Sequence, residues 1–315
     1  MKQATATGTG KYEQLLERCQ SFEAVPTVVV HPCESSALAG AVEAAKKNLI
    51  TPILVGPADK IFKTAESKGD VMGFEIVDVP HSHAAAERAV ELVREGRAEV
   101  LMKGSLHTDE LMSAIVSRTG GLRTARRISH AFIMDVPTYH KVLIVTDAAI
   151  NIAPTLEDKV DIIQNAIDLA VSLGREKPKV AILAAVETVT SKMPATIDAG
   201  ALCKMAERGQ IKGGILDGPL AFDNAISKEA AVTKGIDSEV AGDPDILLAP
   251  DLEAGNILAK QLSFLANADS AGMVLGAKVP VILTSRADNV RSRIASCAVA
   301  KLVAHARRGN MQGGM

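Results

Sequence analysis

Short apolar runs alternate along this chain with longer segments of helical periodicity, and that rhythm limits its fold more than any other feature. A run of about four to six apolar, often β-branched residues suits a strand buried on both faces. A periodic stretch of roughly ten or more between two such runs suits the crossover helix of a βαβ unit. The predicted strands are residues 27–30, 52–55, 74–78, 100–102, 131–134, 141–146, 180–184, 214–216, 245–249, 272–275 and 281–284. The predicted helices are 34–47, 84–95, 109–117, 156–173, 196–208, 253–264 and 289–306. Thr155 ahead of Leu156-Glu157-Asp158 has the spacing of a capping box, and Gly174 is placed to stop the same helix. Trp is absent and aromatic residues make up 3%, so Ala, Val, Ile and Leu must build the core. A doubly wound α/β architecture is expected, with Pro137-Thr138-Tyr139-His140 as a candidate first crossing between lobes.

A chain of 315 residues is long enough for two lobes. A net charge of −2 with no Lys/Arg block gives no electrostatic footprint for nucleic acid. No apolar run approaches the ~20 residues of a membrane span, and Met1–Lys11 lacks the apolar core of a signal peptide, so a cytoplasmic protein is expected. Cys19, Cys33, Cys203 and Cys297 are scattered without zinc-type spacing. His81 and His83 have no third ligand nearby and read as loop residues, so no metal is expected. The first ten or so residues and the Gly309–Met315 tail read as disordered from their small-residue composition.

The chemistry concentrates between Asp251 and Asp288. Two apolar runs, 246–249 and 279–283, each stop abruptly in small, polar and charged residues. Ligands of parallel α/β sheets sit at the carboxyl ends of strands. Two adjacent strand ends are therefore expected to present Asp251, Asn256, Lys260, Thr284, Ser285 and Arg286 to one crevice. A guanidinium grips phosphate with parallel hydrogen bonds, and a neighbouring hydroxyl can donate to a carbonyl oxygen, so an anionic substrate is indicated. Asn256 and Lys260 are four apart on one helix face, behind a helix start that Gly255 leaves open to close approach. Lys103-Gly104-Ser105-Leu106-His107-Thr108 forms a strand-to-helix turn suited to phosphate, though it is not a Walker A loop and no GxGxxG occurs. Asp217 and Asp223 flank a Gly-Pro turn, and Asp147 ends another strand. Each has a plainer reading: Ser285 as a helix N-cap, Lys260 as a solvated face, the aspartates as turn formers.

Several ordered blocks carry a family resemblance: 100–112 (VLMKGSLHTDELM), 128–137 (ISHAFIMDVP), 143–159 (LIVTDAAINIAPTLEDK), 213–227 (GGILDGPLAFDNAIS), PDLEAGNILAKQ and PVILTSRAD. Together they resemble the phosphate acetyl/butyryltransferases, nearer to butyryl-type members and to the acyltransferase halves of some fused enzymes. The resemblance implies an isocitrate/isopropylmalate dehydrogenase-like fold of two α/β lobes with a cleft between them. It implies a discontinuous first domain, 1–134 plus 290–315, closed by the last helix, and a second domain, 135–289. It implies transfer of an acyl group between coenzyme A and inorganic phosphate, no bound cofactor, and a homodimer. Ser285 and Arg286 would lie at the reacting centre, with Lys103, Gly104, Thr108, Ser129 and Asp217 contributing to the cleft.

The chain departs from the pattern at one position. Acetyl-type relatives carry an aspartate six residues beyond the arginine as a candidate base for the coenzyme A thiol, and Ser292 stands here. Asp288, Asp251, or the charges of Arg291 and Arg293 are the alternatives. Two other functions remain open at this point: a non-catalytic domain sensing acyl-CoA or acyl phosphate, and a metal-dependent hydroxyacid dehydrogenase of the same fold.

Overall fold

The computed structural model describes residues 10–68, 71–284 and 289–312. The chain opens with α1 (Lys11–Cys19), β1 (Val25–Val30), α2 (Ser35–Lys46), β2 (Ile50–Gly56), α3 (Ala58–Lys68), β3 (Glu75–Asp78), α4 (Ser82–Arg94), β4 (Val100–Lys103) and α5 (Thr108–Val116). There follow β5 (Ser129–Asp135), β6 (Leu143–Thr146), α6 (Leu156–Ser172), β7 (Lys179–Leu183), α7 (Pro194–Glu207) and β8 (Ile215–Leu220). Two short helices, α8 (Phe222–Ile226) and α9 (Lys228–Thr233), precede β9 (Ile246–Leu248) and α10 (Leu252–Leu265). The chain then returns through β10 (Asp269–Leu275) and β11 (Val281–Ile282) to the long helix α11 (Val290–Gln312).

All eleven expected strands form, and they join in one sheet of order β3-β2-β1-β4-β11-β10-β5-β6-β9-β7-β8. Strands β3, β2, β1, β4 and β11 run parallel as one group, and β6, β9, β7 and β8 run parallel as another. β10 and β5 are antiparallel to their neighbours and stitch the groups together, so the two groups run in opposite directions. The segment at 137–140 lies in the connection of the antiparallel β5–β6 pair.

Alternation along the strands sorts the core into layers. Val25 and Val29, Ala131 and Ile133, Met273 and Leu275, and Ile246 and Leu248 face one continuous core beneath α2, α6, α7 and α11. The other face carries two separate cores. One packs Val28 and Val30 under α4 and α5, and the other packs Val145, Ala181 and Leu247 under α8 to α10. That division makes two lobes on a shared sheet. The last helix packs on the first lobe: Arg293 lies against Gly40 of α2, and Arg308 pairs with Glu99 ahead of β4.

The cap of α6 forms as expected, with Thr155 and Asp158 exchanging hydrogen bonds and Gly174 beyond the helix at φ 85°. The C-terminal tail differs from expectation. α11 continues past Gly309 to Gln312 because its last turns are docked, with Arg307 Nη1 donating to the Lys278 carbonyl at 2.9 Å and Arg308 Nε to Glu99 at 2.6 Å. The expectation for the first nine residues and for 313–315 falls outside the described residues.

Candidate active site

In the first lobe the connections β1–α2–β2–α3–β3 step outward in one direction, and β3–α4–β4 returns to the other side of β1. The strand order therefore reverses between β1 and β4, and the crevice at that reversal is where open α/β sheets bind ligands. The Lys103-Gly104-Ser105 turn occupies it. A Cβ on Gly104 would sit 2.3 Å from the Val30 carbonyl oxygen, so only glycine lets the turn press onto the end of β1. Gly104 N donates to Val30 O at 2.9 Å, and Ser105 Oγ donates to His31 O at 2.7 Å. Cys33 N in turn donates to Ser105 Oγ at 3.1 Å. Lys103 is buried at the end of β4 and Thr108 is the half-buried first residue of α5.

β11 lies directly beside β4, pairing Ile282 with Met102, so Thr284 comes level with Gly104. Thr284 is buried, and its Oγ1 accepts from Arg293 Nη1 at 2.7 Å. Arg293 is itself 3% exposed. A buried guanidinium thus clamps the strand end from which Ser285 and Arg286 continue. Ser285, Arg286 and Asp288 lie outside the described residues. The side-chain cap of α11 is Asn289, whose Oδ1 accepts from Ser292 N at 2.8 Å. The alternative reading of Ser285 as the cap of this helix therefore loses its basis.

Asp251, Asn256 and Lys260 come together on α10. Asp251 Oδ1 caps the helix by accepting from Ala254 N at 2.9 Å, Asn256 Nδ2 donates to Ala148 O at 2.9 Å, and Lys260 is exposed. Gly255 is packed on the loop after β6, where a Cβ would meet the Asp147 carbonyl oxygen at 2.3 Å. Asp147 is fully engaged, accepting from the backbone of His130, Ala149, Ile150 and Asn151 and from Asn151 Nδ2. The strand ends carrying the two groups are not adjacent, contrary to expectation. Three strands separate β9 from β11, and the two run in opposite directions, because β10 and β5 return antiparallel between them.

Of the other two candidates Asp217 stands apart from both groups, whereas Ser129 precedes His130, whose N–H donates to Asp147 in the loop on which α10 packs. Ser129 is buried at the start of β5 and accepts from Asn165 Nδ2 at 3.0 Å. Asp217 is on β8, an edge strand with six strands between it and β4, and accepts from its neighbour Gly218 N. Asp223 pairs with Lys234 on the surface. His81 caps α4, its Nδ1 accepting from Ala84 N at 3.2 Å. The charge of Arg291 is spent elsewhere: it pairs with Asp269 at 2.7 Å and with Glu13, and lies 3.7 Å over the Tyr12 ring.

Comparison with known proteins decides the family. The sequence model described as "Phosphate acetyl/butaryl transferase" matches residues 67–301. A phosphate acetyltransferase of Rhizobium meliloti is 63% identical over 299 residues, 95% of each chain. The chain belongs to the phosphate acetyl/butyryltransferase family. A phosphate butyryltransferase of Clostridium acetobutylicum is 42% identical over 295 residues, 93% of this chain and 98% of that one. The crystal structure of a branched-chain phosphotransacylase from Enterococcus faecalis V583 superposes with TM-score 0.78 at 30% identity, covering 89% of this chain and 99% of that one. The fold is the dehydrogenase-like one that the resemblance implied, and the activity is that of a phosphate acyltransferase. Of the two relatives, the acetyl enzyme shares more of the sequence, so the resemblance blocks do not single out the butyryl branch.

Sequence reasoning passed over His31, named Cys33 only as a scattered thiol, and weighed Arg293 only as a charge near the coenzyme A thiol. The first two carry the same signature as the chosen strand ends, an apolar run (Val28 to Val30) stopped by His31-Pro32-Cys33. Burial pushes the Cys33 thiol up from its ordinary value, and burial together with Lys60 pulls the His31 imidazole down. No helix among the described residues is long and apolar enough to cross a membrane.

Proposed function

We propose that the chain catalyses direct attack of inorganic phosphate on the thioester carbonyl of acetyl-CoA within a ternary complex. The observation that carries the reading is the assembly at the switch point: Lys103 and Gly104 level with the Arg293-anchored end of β11, one residue before Ser285 and Arg286, with Thr108 opening the helix that follows the turn. Phosphate is already a nucleophile near neutral pH, so positioning supplies much of the catalysis. Arg286 binds the phosphate with paired hydrogen bonds and Ser285 donates to the carbonyl oxygen as it gains charge. The acetyl preference rests on the greater identity to the acetyl relative. Asp251, Asn256 and Lys260 belong to the second lobe (135–289), which closes on the first (1–134 with 290–315).

The working unit is a cytoplasmic homodimer that holds coenzyme A only as a substrate. All four cysteines are free thiols, as suits a reducing compartment. α10 supplies an apolar face: Ile257, Phe264 and Leu265, at helical spacing, are 57%, 77% and 81% exposed.

The roles are tested with Arg286→Gln. Turnover is expected to drop about 10²–10³-fold or more with the unfolding midpoint unchanged. Full turnover in the variant would overturn the assignment of the phosphate grip.

A further inference from the structure

In the direction of acyl-CoA synthesis the coenzyme A thiol must lose a proton, and the described residues that were candidates to take it or to favour its loss are committed elsewhere. Asp251 caps α10, Arg291 pairs with Asp269 and Glu13, and Arg293 is held on Thr284. We infer that His31, at the end of β1, is the general base for the coenzyme A thiol in this acyltransferase.

Position comes first. β1 flanks β4 on one side as β11 flanks it on the other, with Val30 paired to Lys103 and Ile282 to Met102. His31 is therefore two strand spacings, about 10 Å of backbone, from the Thr284 end that leads into Ser285 and Arg286. The Lys103-Gly104 turn lies between them.

The hydrogen bonds around the imidazole then fix its tautomer. Ser105 has one hydroxyl proton, and at 2.7 Å it is given to the His31 carbonyl. Its Oγ already accepts from Cys33 N at 3.1 Å. The remaining contact, His31 Nδ1 to Ser105 Oγ at a loose 3.4 Å, works only with Nδ1 as donor. Nδ1 thus carries the proton and Nε2 keeps its lone pair, which is the form a base requires.

The backbone holds the ring in place. His31 has φ 54°, a left-handed conformation rare for a residue with a side chain and associated with functional sites. Gly104 and Gly56 leave room for it: a Cβ on Gly104 would sit 2.6 Å from His31 O, and one on Gly56 3.4 Å from His31 Cα. Lys60 of α3 faces the imidazole as a cation and Glu110 of α5 and Glu34 as anions, with Lys103 beside it at the end of β4. Burial outweighs these charges and with Lys60 holds the ring neutral at pH 7, free to accept a proton.

The step balances within the known reaction. Nε2 takes the S–H proton, the sulfur forms a bond to the acyl carbon, and the carbon–oxygen bond to phosphate breaks with its electron pair leaving on phosphate. In reverse, the imidazolium returns the proton to the departing thiolate.

The test follows acetyl phosphate plus coenzyme A to acetyl-CoA in wild type, His31→Asn, His31→Gly and Ser105→Ala. Asn and Gly both accept a positive φ, so the backbone is spared. Wild-type turnover establishes the acyltransferase on its own. His31→Asn is then expected to lose about 10²–10⁴-fold in kcat, with KM for coenzyme A unchanged and the acid limb of the kcat/KM profile gone. Added imidazole is expected to restore part of the activity of His31→Gly, and Ser105→Ala to retain the limb with a lower kcat. A His31→Asn kcat within threefold of wild type, or a rise in KM alone, would overturn the inference, as would an acid limb that survives in both His31 variants.

Discussion

Arg293 and Thr284 are joined at 2.7 Å, a guanidinium buried in the first turn of α11 holding the hydroxyl at the end of β11. The same contact binds the last helix to the strand end that continues into Ser285 and Arg286. Thr284→Val keeps the shape and removes the acceptor. Denaturant titration is expected to show a loss of about 1–3 kcal/mol, with turnover falling as the anchor of the catalytic segment loosens. An unchanged midpoint would show that the contact is dispensable.

Gly255 sets how closely α10 approaches the loop after β6. A Cβ there meets the Asp147 carbonyl oxygen at 2.3 Å, backbone that cannot swing aside. Gly255→Ala is expected to destabilise by about 1–3 kcal/mol. Gly200→Ala in α7 is the control: its nearest neighbour is Val189 Cγ2 at 3.6 Å, and alanine's helix propensity favours the change by about 1 kcal/mol. Thermal melts of the two should shift in opposite directions.

Asp243 gathers His140 at 2.8 Å, Lys141 at 3.0 Å and Lys179 at 2.7 Å. Burial raises its carboxyl, but the hydrogen bonds from these three groups overcome that and hold it well below the ordinary 3.8. A depressed carboxyl stabilises the fold above the ordinary value, and the contribution is lost as pH falls below it. Asp243→Asn should therefore melt lower than wild type at pH 7, and the gap should narrow as pH drops below about 4. A gap constant with pH would assign the loss to packing.

Phe264 and Leu265 stand exposed on α10. For the proposed homodimer, replacing both with Glu is expected to give a monomer, read as a halved mass by sedimentation. A wild-type protein already monomeric at micromolar concentration would remove α10 as an interface.

The strands were legible because each is a short apolar run bounded by turn residues, and β1, β4 and β10 needed no more than that. Their neighbours were not. β11 reaches β4, and β10 reaches β5, across well over a hundred residues, and local pattern carries no record of such pairing. The expectation that β9 and β11 adjoin failed for that reason. α1 escaped notice because Lys11–Cys19 is polar on most of its surface and borders a stretch read as a loose terminus. Arg293 is weighed from the sequence as a charge for the thiol, yet α11 is buried on nearly all sides from Ser292 to Ala304 and takes it and Lys301 inside. His31 was hidden by its backbone, since no propensity anticipates a left-handed histidine packed beside two glycines.

The most direct measurement is thiol release from acyl-CoAs, acetyl through hexanoyl, with phosphate present and with chloride in its place. Release that requires phosphate and is fastest with acetyl-CoA is expected. Absence of phosphate-dependent release with every acyl-CoA, in a protein that still binds them, would contradict the acyltransferase and leave a binding domain.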